Sequence, residues 1–309
     1  MPVDQQSANT FVERPDHASY ETDSPVLYEV REGVAYVTMN RPQFNNAQNS
    51  QMTYALDAAF RRAVDDDTVR AIVLRGAGKH FSAGHDIGTP GRDVNRPFDR
   101  AHLWWDHTNK PGAEFHYARE QEVYLGMCRR WRAIPKPTVA MVQGGCIAGG
   151  LMLAWICDLI VASEDAFFQD PVVRMGIPGV EYFAHAHELT PRLAKELLML
   201  GERMPAARAY GMGMVNRLVP REQLEEETDR IAARLAAQPR MGLALAKQVV
   251  NGAEDLQGLR ATMDMAFGYH HFAHAHGQLC GEGHLGGHDA RSMASANRDE
   301  AAVVPGAAA

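Results

Sequence analysis

Two glycine-containing segments have the composition of a site that stabilises negative charge on oxygen. The first, Gly149-Gly150, lies between an apolar run that ends at Val142 and an apolar segment ready to continue as a helix. Glycine lets a ligand approach the backbone closely, and the first N–H groups of a helix lack acceptors within it. A glycine pair that only lets the helix pack tightly against a strand is an equally open interpretation.

The second segment, residues 81–87 (FSAGHDI), follows another buried-strand pattern and a glycine turn. Ala83 and Gly84 are small, and the backbone N–H of His85 could point at the same ligand oxygen as the first segment. Two such donors form an oxyanion hole. The His85 side chain is either that of a loop residue that contributes only its backbone, which we favour, or a catalytic imidazole. We expect Asp86 to accept hydrogen bonds from local backbone amides.

The elements that must position these segments follow an α/β pattern. A hairpin, an amphipathic helix and buried strands alternate with further helices, and strands end with the segment 214–219. The remaining sequence predicts helices at 220–237, 241–251 and 255–276. We therefore expect tails at 1–24 and 301–309, an α/β core at 25–219 and a helical region at 220–300.

Residues 89–117 form a long irregular insertion that contains prolines and the pair Trp104-Trp105. Insertions of this length are either functional or disordered, and we expect a lid over a site. The aromatic residues of this region, with Phe115 and Tyr117, either line an acyl pocket or anchor the lid.

Composition favours a small-molecule ligand. The 309 residues include 38 acidic and 31 basic side chains, a net charge of −7, which gives no reason to expect nucleic acid or an acidic membrane as a partner. The longest apolar stretch, residues 147–162, is interrupted by Gly149, Gly150 and Asp158 and is too short to span a bilayer. The first residues lack an apolar run, and the four cysteines lack CxxC spacing, so we expect a cytoplasmic chain with reduced thiols.

The order of these motifs resembles the crotonase superfamily, the enoyl-CoA hydratases and isomerases. The resemblance covers about residues 25–275. The matching stretches are Asn40-Arg41-Pro42 with Asn46-Ala47, residues 81–87, Ala148-Gly149-Gly150, residues 157–162, Gly176-Ile177-Pro178-Gly179 and residues 206–219.

The resemblance implies a spiral of ββα turns and a helical C-terminal region that packs in trimers, commonly two per hexamer. It implies a role in fatty acid metabolism and an acyl-CoA substrate whose thioester oxygen is held by the N–H groups of His85 and Gly149. No cofactor beyond the coenzyme A of the substrate is expected. The positions expected to contact the substrate are Gln43, Phe44, Asn45, Ala83, Asp86, Ile87, Gly150, Met152 and Val172.

The sequence departs from the pattern of the hydratases in this superfamily, which add water with two glutamates. Met152 and Val172 occupy those two positions, and neither side chain can carry a proton. Isomerisation or an atypical hydration is therefore favoured over two-glutamate hydration, because a proton shift needs only one base.

Another residue must then act as the acid or base. Glu181 is the first choice, because it lies close in sequence to where some isomerising or dehalogenating relatives carry a catalytic carboxylate. Asp170, two residues before Val172, is the second. If a helix begins near Glu181, His185 could orient it. For each residue, a solvated loop position is the alternative.

A histidine-rich stretch near the C-terminus raises the question of a metal. His270 and His274 are four apart on one face of a predicted helix, close to His271 and His276, and His284 and His288 follow. No carboxylate joins them at tight spacing, so a solvated or subunit-interface helix is favoured and no metal is expected.

Two other functions remain open. One is a non-catalytic CoA-thioester binding or assembly protein, motivated by Met152 and Val172. The other is a CoA-thioester hydrolase in which His185 or Asp170 activates water.

Overall fold

A computed structural model describes residues 23–87 and 93–280. Its strands are β1 (Val26–Arg31), β2 (Val34–Met39), β3 (Ala71–Gly76), β4 (Thr138–Val142), β5 (Gly145–Ile147), β6 (Leu159–Ser163), β7 (Phe167–Gln169), β8 (Met204–Pro205) and β9 (Arg217–Val219). Its α-helices are α1 (Ser50–Asp65), α2 (Gly112–Glu120), α3 (Met127–Arg132), α4 (Gly149–Trp155), α5 (His185–Glu188), α6 (Pro191–Leu200), α7 (Ala206–Gly211), α8 (Leu224–Ala236), α9 (Arg240–Leu256) and α10 (Leu259–Leu279).

The larger sheet has the strand order β1-β2-β3-β4-β6-β9, in which only β1 and β2 pair in antiparallel fashion. Side chains alternate between its faces. On β2, Ala35 and Val37 enter the main core, whereas Val34 and Tyr36 join a second apolar cluster that includes Ile231 of α8. Both faces of the sheet are therefore covered, as parallel strands require. The predicted α/β class is confirmed.

A second sheet, with the order β5-β7-β8, was not predicted. Its strands are two or three residues long, too short for a periodic signal. Gly144, with φ of 55°, turns the chain from β4 into β5, where only a strand end was expected. β5 then leads directly to α4, so this small sheet sets the position of Gly149.

The insertion that we expected to be an irregular lid is held against the core in its described part. The Asp93 carboxylate accepts hydrogen bonds from the N–H groups of Ser50 and Gln51 at the start of α1. The Phe98 ring stacks on Tyr54, with ring centroids 5.2 Å apart. The expectation was wrong for residues 112–117, which are helical and belong to α2. A π-helical segment, residues 121–126, joins α2 to α3.

The C-terminal part is helical as far as it is described, with α8, α9 and α10 following β9. No helix in residues 23–87 and 93–280 is long and apolar enough to cross a membrane. The two predicted tails, the first residues of the insertion, His284 and His288 lie outside the described residues, apart from residues 23 and 24.

Candidate active site

The two glycine-containing segments run side by side. Ser82 and Cys146 form a parallel bridge, in which the Ser82 N–H donates to the Gly145 carbonyl at 3.2 Å and the Ile147 N–H donates to the Ser82 carbonyl at 2.9 Å. Three residues further along each segment are His85 and Gly149. A Cβ added to Gly84 would lie 2.9 Å from the nitrogen of Gly149, so the backbones meet closely here.

The orientation of the His85 backbone follows from its other neighbour. The Gln48 N–H donates to the Gly84 carbonyl at 2.7 Å, and the Asp86 N–H donates to the Gln48 carbonyl at 2.9 Å. Because peptide groups alternate in extended chain, the N–H of His85 points away from Gln48, towards the side on which Gly149 lies.

Gly149 is the first residue of α4, so its N–H has no acceptor one turn earlier in the helix. The preceding residue, Ala148, has φ of 48° and ψ of −114°, a conformation that costs free energy for any residue with a Cβ. Strain of this kind is typical of functional sites. The geometry supports the convergence of two N–H donors that the sequence predicts.

Asp86, one of the residues expected to contact the substrate, forms a buried ion pair with Arg41. Its carboxylate accepts a hydrogen bond from Arg41 Nη1 at 3.0 Å, and both side chains are almost completely buried. The same Arg41 atom donates to the Ala47 carbonyl. The side-chain amide of Asn46 lies within 3.2 Å of three carbonyls in residues 77–81. The motif at residues 40–47 thus fixes the loop that carries His85.

Glu181 is the carboxylate that faces the His85 loop. It is buried, and its Oε2 lies 3.5 Å from Nε2 of His85. The His85 imidazole stacks on Tyr124, with ring centroids 3.7 Å apart and planes 11° apart. Burial raises the pKa of Glu181 to about 8, and nearby Glu120 adds to the rise while His270 opposes it. The His85 side chain, which the sequence analysis favoured as non-catalytic, therefore lies against the first-choice acid or base.

The predicted pairing of Glu181 with His185 is wrong. Nε2 of His185 lies 2.8 Å from Oδ2 of Asp170, and both side chains are completely buried. The helix α5 begins at His185 rather than near Glu181, so the two are not one turn apart. Oδ2 of Asp170 also accepts a hydrogen bond from the Val180 N–H, which ties this pair to the segment before Glu181.

The other residues expected to contact the substrate lie around the loop that carries His85. Gln43 and Asn45 are exposed and Phe44 is half-buried on a short turn, and the Asn45 carbonyl accepts a hydrogen bond from the half-buried Ala83. Ile87 and Val172 pack against the same small apolar cluster. The remaining two are buried in α4: Gly150, where a Cβ would lie 2.6 Å from the Ser82 carbonyl, and Met152.

Three histidines of α10 surround a carboxylate that the sequence analysis missed. Oε2 of Glu120 lies 3.2 Å from Nε2 of both His270 and His271, and its Oε1 lies 3.6 Å from Nε2 of His274. Burial alone would lower the pKa of His270, but Glu120 raises it to about 9. A carboxylate therefore does join these histidines in the fold, although none lies at tight spacing in the sequence. Glu120 is about 150 positions away in sequence, and its only local signal is an acid on a mostly buried helix.

The sequence is similar to known proteins along almost its whole length. The family model described as Enoyl-CoA hydratase/isomerase matches residues 29–103 and 105–285. The chain belongs to the enoyl-CoA hydratase/isomerase family. Its sequence is 40% identical over 292 residues to EchA13 of Mycobacterium tuberculosis, which carries an enoyl-CoA hydratase name, covering 91% of this chain and 89% of that protein. It is 30% identical over 235 residues to the 1,2-epoxyphenylacetyl-CoA isomerase of Escherichia coli, covering 74% of this chain and 82% of that protein.

Solved structures of this family share the fold. The crystal structure of a probable enoyl-CoA hydratase from Mycobacterium smegmatis superposes with a TM-score of 0.76 at 41% identity, covering 85% of this chain and 99% of that one. The crystal structure of a probable enoyl-CoA hydratase from Mycobacterium thermoresistibile has a TM-score of 0.74 at 44% identity, covering 83% of this chain and 99% of that one. The crotonase fold and the superfamily predicted from the motifs are confirmed.

Proposed function

We propose that this chain moves a proton on an acyl-CoA thioester and thereby shifts the double bond of an enoyl-CoA. The N–H groups of His85 and Gly149 hold the thioester oxygen, and Glu181 transfers the proton. The observation that carries the proposal is the buried Glu181 carboxylate, 3.5 Å from the imidazole of the residue that supplies one of the two donors.

The reaction requires one base acting on two carbons. Glu181 takes the proton from the carbon next to the thioester carbonyl, and the electron pair of that C–H bond delocalises onto the thioester oxygen. The protonated Glu181 then returns the proton to the γ-carbon, and a β,γ double bond becomes an α,β one. Its pKa of about 8 makes Glu181 a stronger base than an ordinary carboxylate.

Two-glutamate hydration is not supported, because Met152 is buried in α4 and Val172 packs with apolar neighbours. An atypical hydration in which Glu181 alone handles the protons is the second candidate, and the enoyl-CoA hydratase name of EchA13 favours it. The isomerase name of the Escherichia coli relative favours the double-bond shift.

Hydrolysis finds no support at the residues suggested for it. Asp170 and His185 bond to each other and both have fully buried side chains, which keeps them from the solvent that a hydrolase must activate. Free CoA release would contradict this argument.

The substrate class and reaction are tested together. The protein is incubated in D2O with α,β-enoyl-, β,γ-enoyl-, dienoyl- and β-hydroxyacyl-CoA, and deuterium at the α-carbon is followed by mass spectrometry and double-bond position by NMR. We expect exchange and bond migration. Thioester binding by calorimetry without exchange in any compound would instead identify a non-catalytic binder, and absence of binding would refute the substrate class.

We also propose that copies of the chain assemble through α9, as a homotrimer or a hexamer of two trimers. Met241, Leu245 and Val249 lie four residues apart on this helix and are 70%, 51% and 71% exposed. An apolar stripe of this kind is typical of an interface between subunits. Sedimentation equilibrium of wild type and of Leu245→Glu tests it, with dissociation of the variant expected.

A further inference from the structure

We propose that Glu120, His270 and His274 form a binding site for one first-row divalent transition-metal ion, such as Zn²⁺ or Fe²⁺. One candidate ligand atom from each residue lies within 4.8 Å of the other two, and all three side chains are buried. Two imidazoles and one carboxylate suit Zn²⁺ and Fe²⁺ better than Mg²⁺ or Ca²⁺, which prefer oxygen ligands.

The distances between these atoms match the edges of a coordination polyhedron. Nε2 of His274 lies 2.9 Å from Nε2 of His270. The Glu120 carboxylate oxygens lie 3.2 Å from His270 and 3.6 Å from His274. Two ligands that share an ion at about 2.1 Å lie about 3.0–3.4 Å apart in octahedral or tetrahedral geometry. An ion can therefore be placed between these atoms with only small side-chain movements.

The orientation of His270 fits a ligand role. Its Nδ1 lies 3.0 Å from the carbonyl oxygen of Gly179, to which only a protonated nitrogen can donate. This leaves the Nε2 lone pair of the neutral ring directed towards Glu120 and His274. A backbone carbonyl that fixes the tautomer and orientation of an imidazole in this way is common beside metal-bound histidines.

Several imidazoles converge on the Glu120 carboxylate. Its Oε2 is buried, and Nε2 of His270 and Nε2 of His271 each lie 3.2 Å from it. Nε2 of His270 has Nε2 of His274, Oε2 of Glu120 and, at 4.0 Å, Oε1 of Glu181 around it. A single proton on Nε2 can form a hydrogen bond to only one of these neighbours, whereas a metal ion can bind both histidines and Glu120 at the same time. The competing arrangement is an imidazolium at His270 paired with Glu120.

The proposed metal site lies next to Glu181. Glu181 lies 4.0 Å from His270 on one side and 3.5 Å from His85 on the other. The proposed ion would thus lie one side chain away from the proposed base. The binding claim does not depend on the proposed reaction, because it can be measured without a substrate.

The test uses the full chain after chelator treatment and dialysis. Apoprotein is titrated with Zn²⁺ and Co²⁺, and anaerobically with Fe²⁺. Bound metal is measured by mass spectrometry with inductively coupled plasma, and the Co²⁺ complex by its visible absorption. We expect about one ion per chain, Co²⁺ bands typical of nitrogen and oxygen ligands, and no binding of Mg²⁺ at equal concentration.

Matched variants locate the ion. Glu120→Gln and His274→Gln should lower the affinity for the metal ion at least about 10-fold. Even substitutions of residues that only hydrogen-bond to a metal ligand lower the affinity by about that factor. His276→Gln, the same change at an exposed position on the same helix, should retain full stoichiometry. Circular dichroism establishes that each variant is folded. Wild-type protein that binds no Zn²⁺, Co²⁺ or Fe²⁺ would refute the site in favour of the proton-bridged pair. Loss of the ion in His276→Gln but not in His274→Gln would also refute it.

Discussion

Glu181 and His85 contact each other across the site, with Oε2 of the carboxylate 3.5 Å from Nε2 of the imidazole. This contact joins two segments that are about one hundred residues apart in sequence. In the proposed mechanism, one segment supplies a backbone donor for the thioester oxygen and the other supplies the Glu181 carboxylate. The proposed proton transfer therefore depends on Glu181.

Replacing Glu181 with Gln should abolish proton transfer while leaving substrate binding intact. An amide of the same shape cannot accept the proton, so we expect α-carbon deuterium exchange to fall about 100-fold to 10,000-fold, the usual contribution of a general base. The dissociation constant for the CoA thioester, measured by calorimetry, should change little.

The matched control is Glu188→Gln, because burial also raises the pKa of this carboxyl, to about 7, and it lies seven positions further along the chain. Its exchange rate should equal that of wild type. Equal rates in wild type and Glu181→Gln would exclude Glu181 as the base.

Gly149→Ala should damage the oxyanion hole. A Cβ at this position would lie 2.6 Å from Cδ2 and 2.7 Å from Nε2 of His85, and the stacked His85 ring has little room to move. Misplacing one donor costs about 100-fold to 1,000-fold in turnover. Gly211→Ala is the control, because no atom lies within 4 Å of a Cβ there. A Gly149→Ala enzyme as active as Gly211→Ala would show that the thioester oxygen binds elsewhere.

The convergence of the two glycine-containing segments could be predicted, because each follows a buried strand and carboxyl ends of parallel strands meet at one edge of a sheet. The apolar segment after the glycine pair predicted α4, which begins at Gly149, within one residue of the expected start. β5 could not be predicted, since three residues carry no periodicity, yet it aligns the two segments through Ser82 and Cys146.

Contacts between side chains that are distant in sequence were harder to predict than the elements themselves. The spacing of His270 and His274 was visible, but Glu120 approaches them only because α2 packs against α10. Likewise, His185 was assigned to Glu181 by sequence proximity, whereas the fold places Asp170 beside it. Sequence patterns give the position of a residue along its own element, and the approach of a second element depends on tertiary packing.

Breaking the ion pair between Arg41 and Asp86 should destabilise the protein strongly. Arg41→Met leaves a buried Asp86 carboxylate without its cation, which typically costs about 3–5 kcal/mol. Urea unfolding measures the loss. Arg208→Met, which removes the exposed partner of Glu196, should cost less than about 1 kcal/mol. Equal losses in the two variants would mean that the buried pair does not hold the His85 loop in place.

Stability should fall with rising pH because of Glu188. Burial, and then Glu254, raises the pKa of Glu188 to about 7 in the folded state, from 4.5. Between these values the unfolded chain ionises first, so this carboxyl favours unfolding increasingly as pH rises from about 4.5 to about 7. Above the folded-state pKa, Glu188 lowers the free energy of unfolding by at most about 3 kcal/mol. Glu188→Gln should therefore gain stability over wild type across that interval, measured by urea unfolding at several pH values. A constant difference would contradict the raised pKa.

His85→Ala separates what the side chain does from what the backbone does. The backbone N–H remains, so thioester binding should stay within about threefold, but Glu181 loses the imidazole that lies 3.5 Å from its Oε2. A less well-oriented base gives a slower proton transfer, and we expect kcat to fall about 10-fold to 100-fold with KM nearly unchanged. His85→Gln, which can place a polar group near the same carboxylate, should recover part of the rate. If kcat of His85→Ala equals that of wild type, the imidazole only fills space between Tyr124 and Gly149, and His85 contributes to the reaction through its N–H alone.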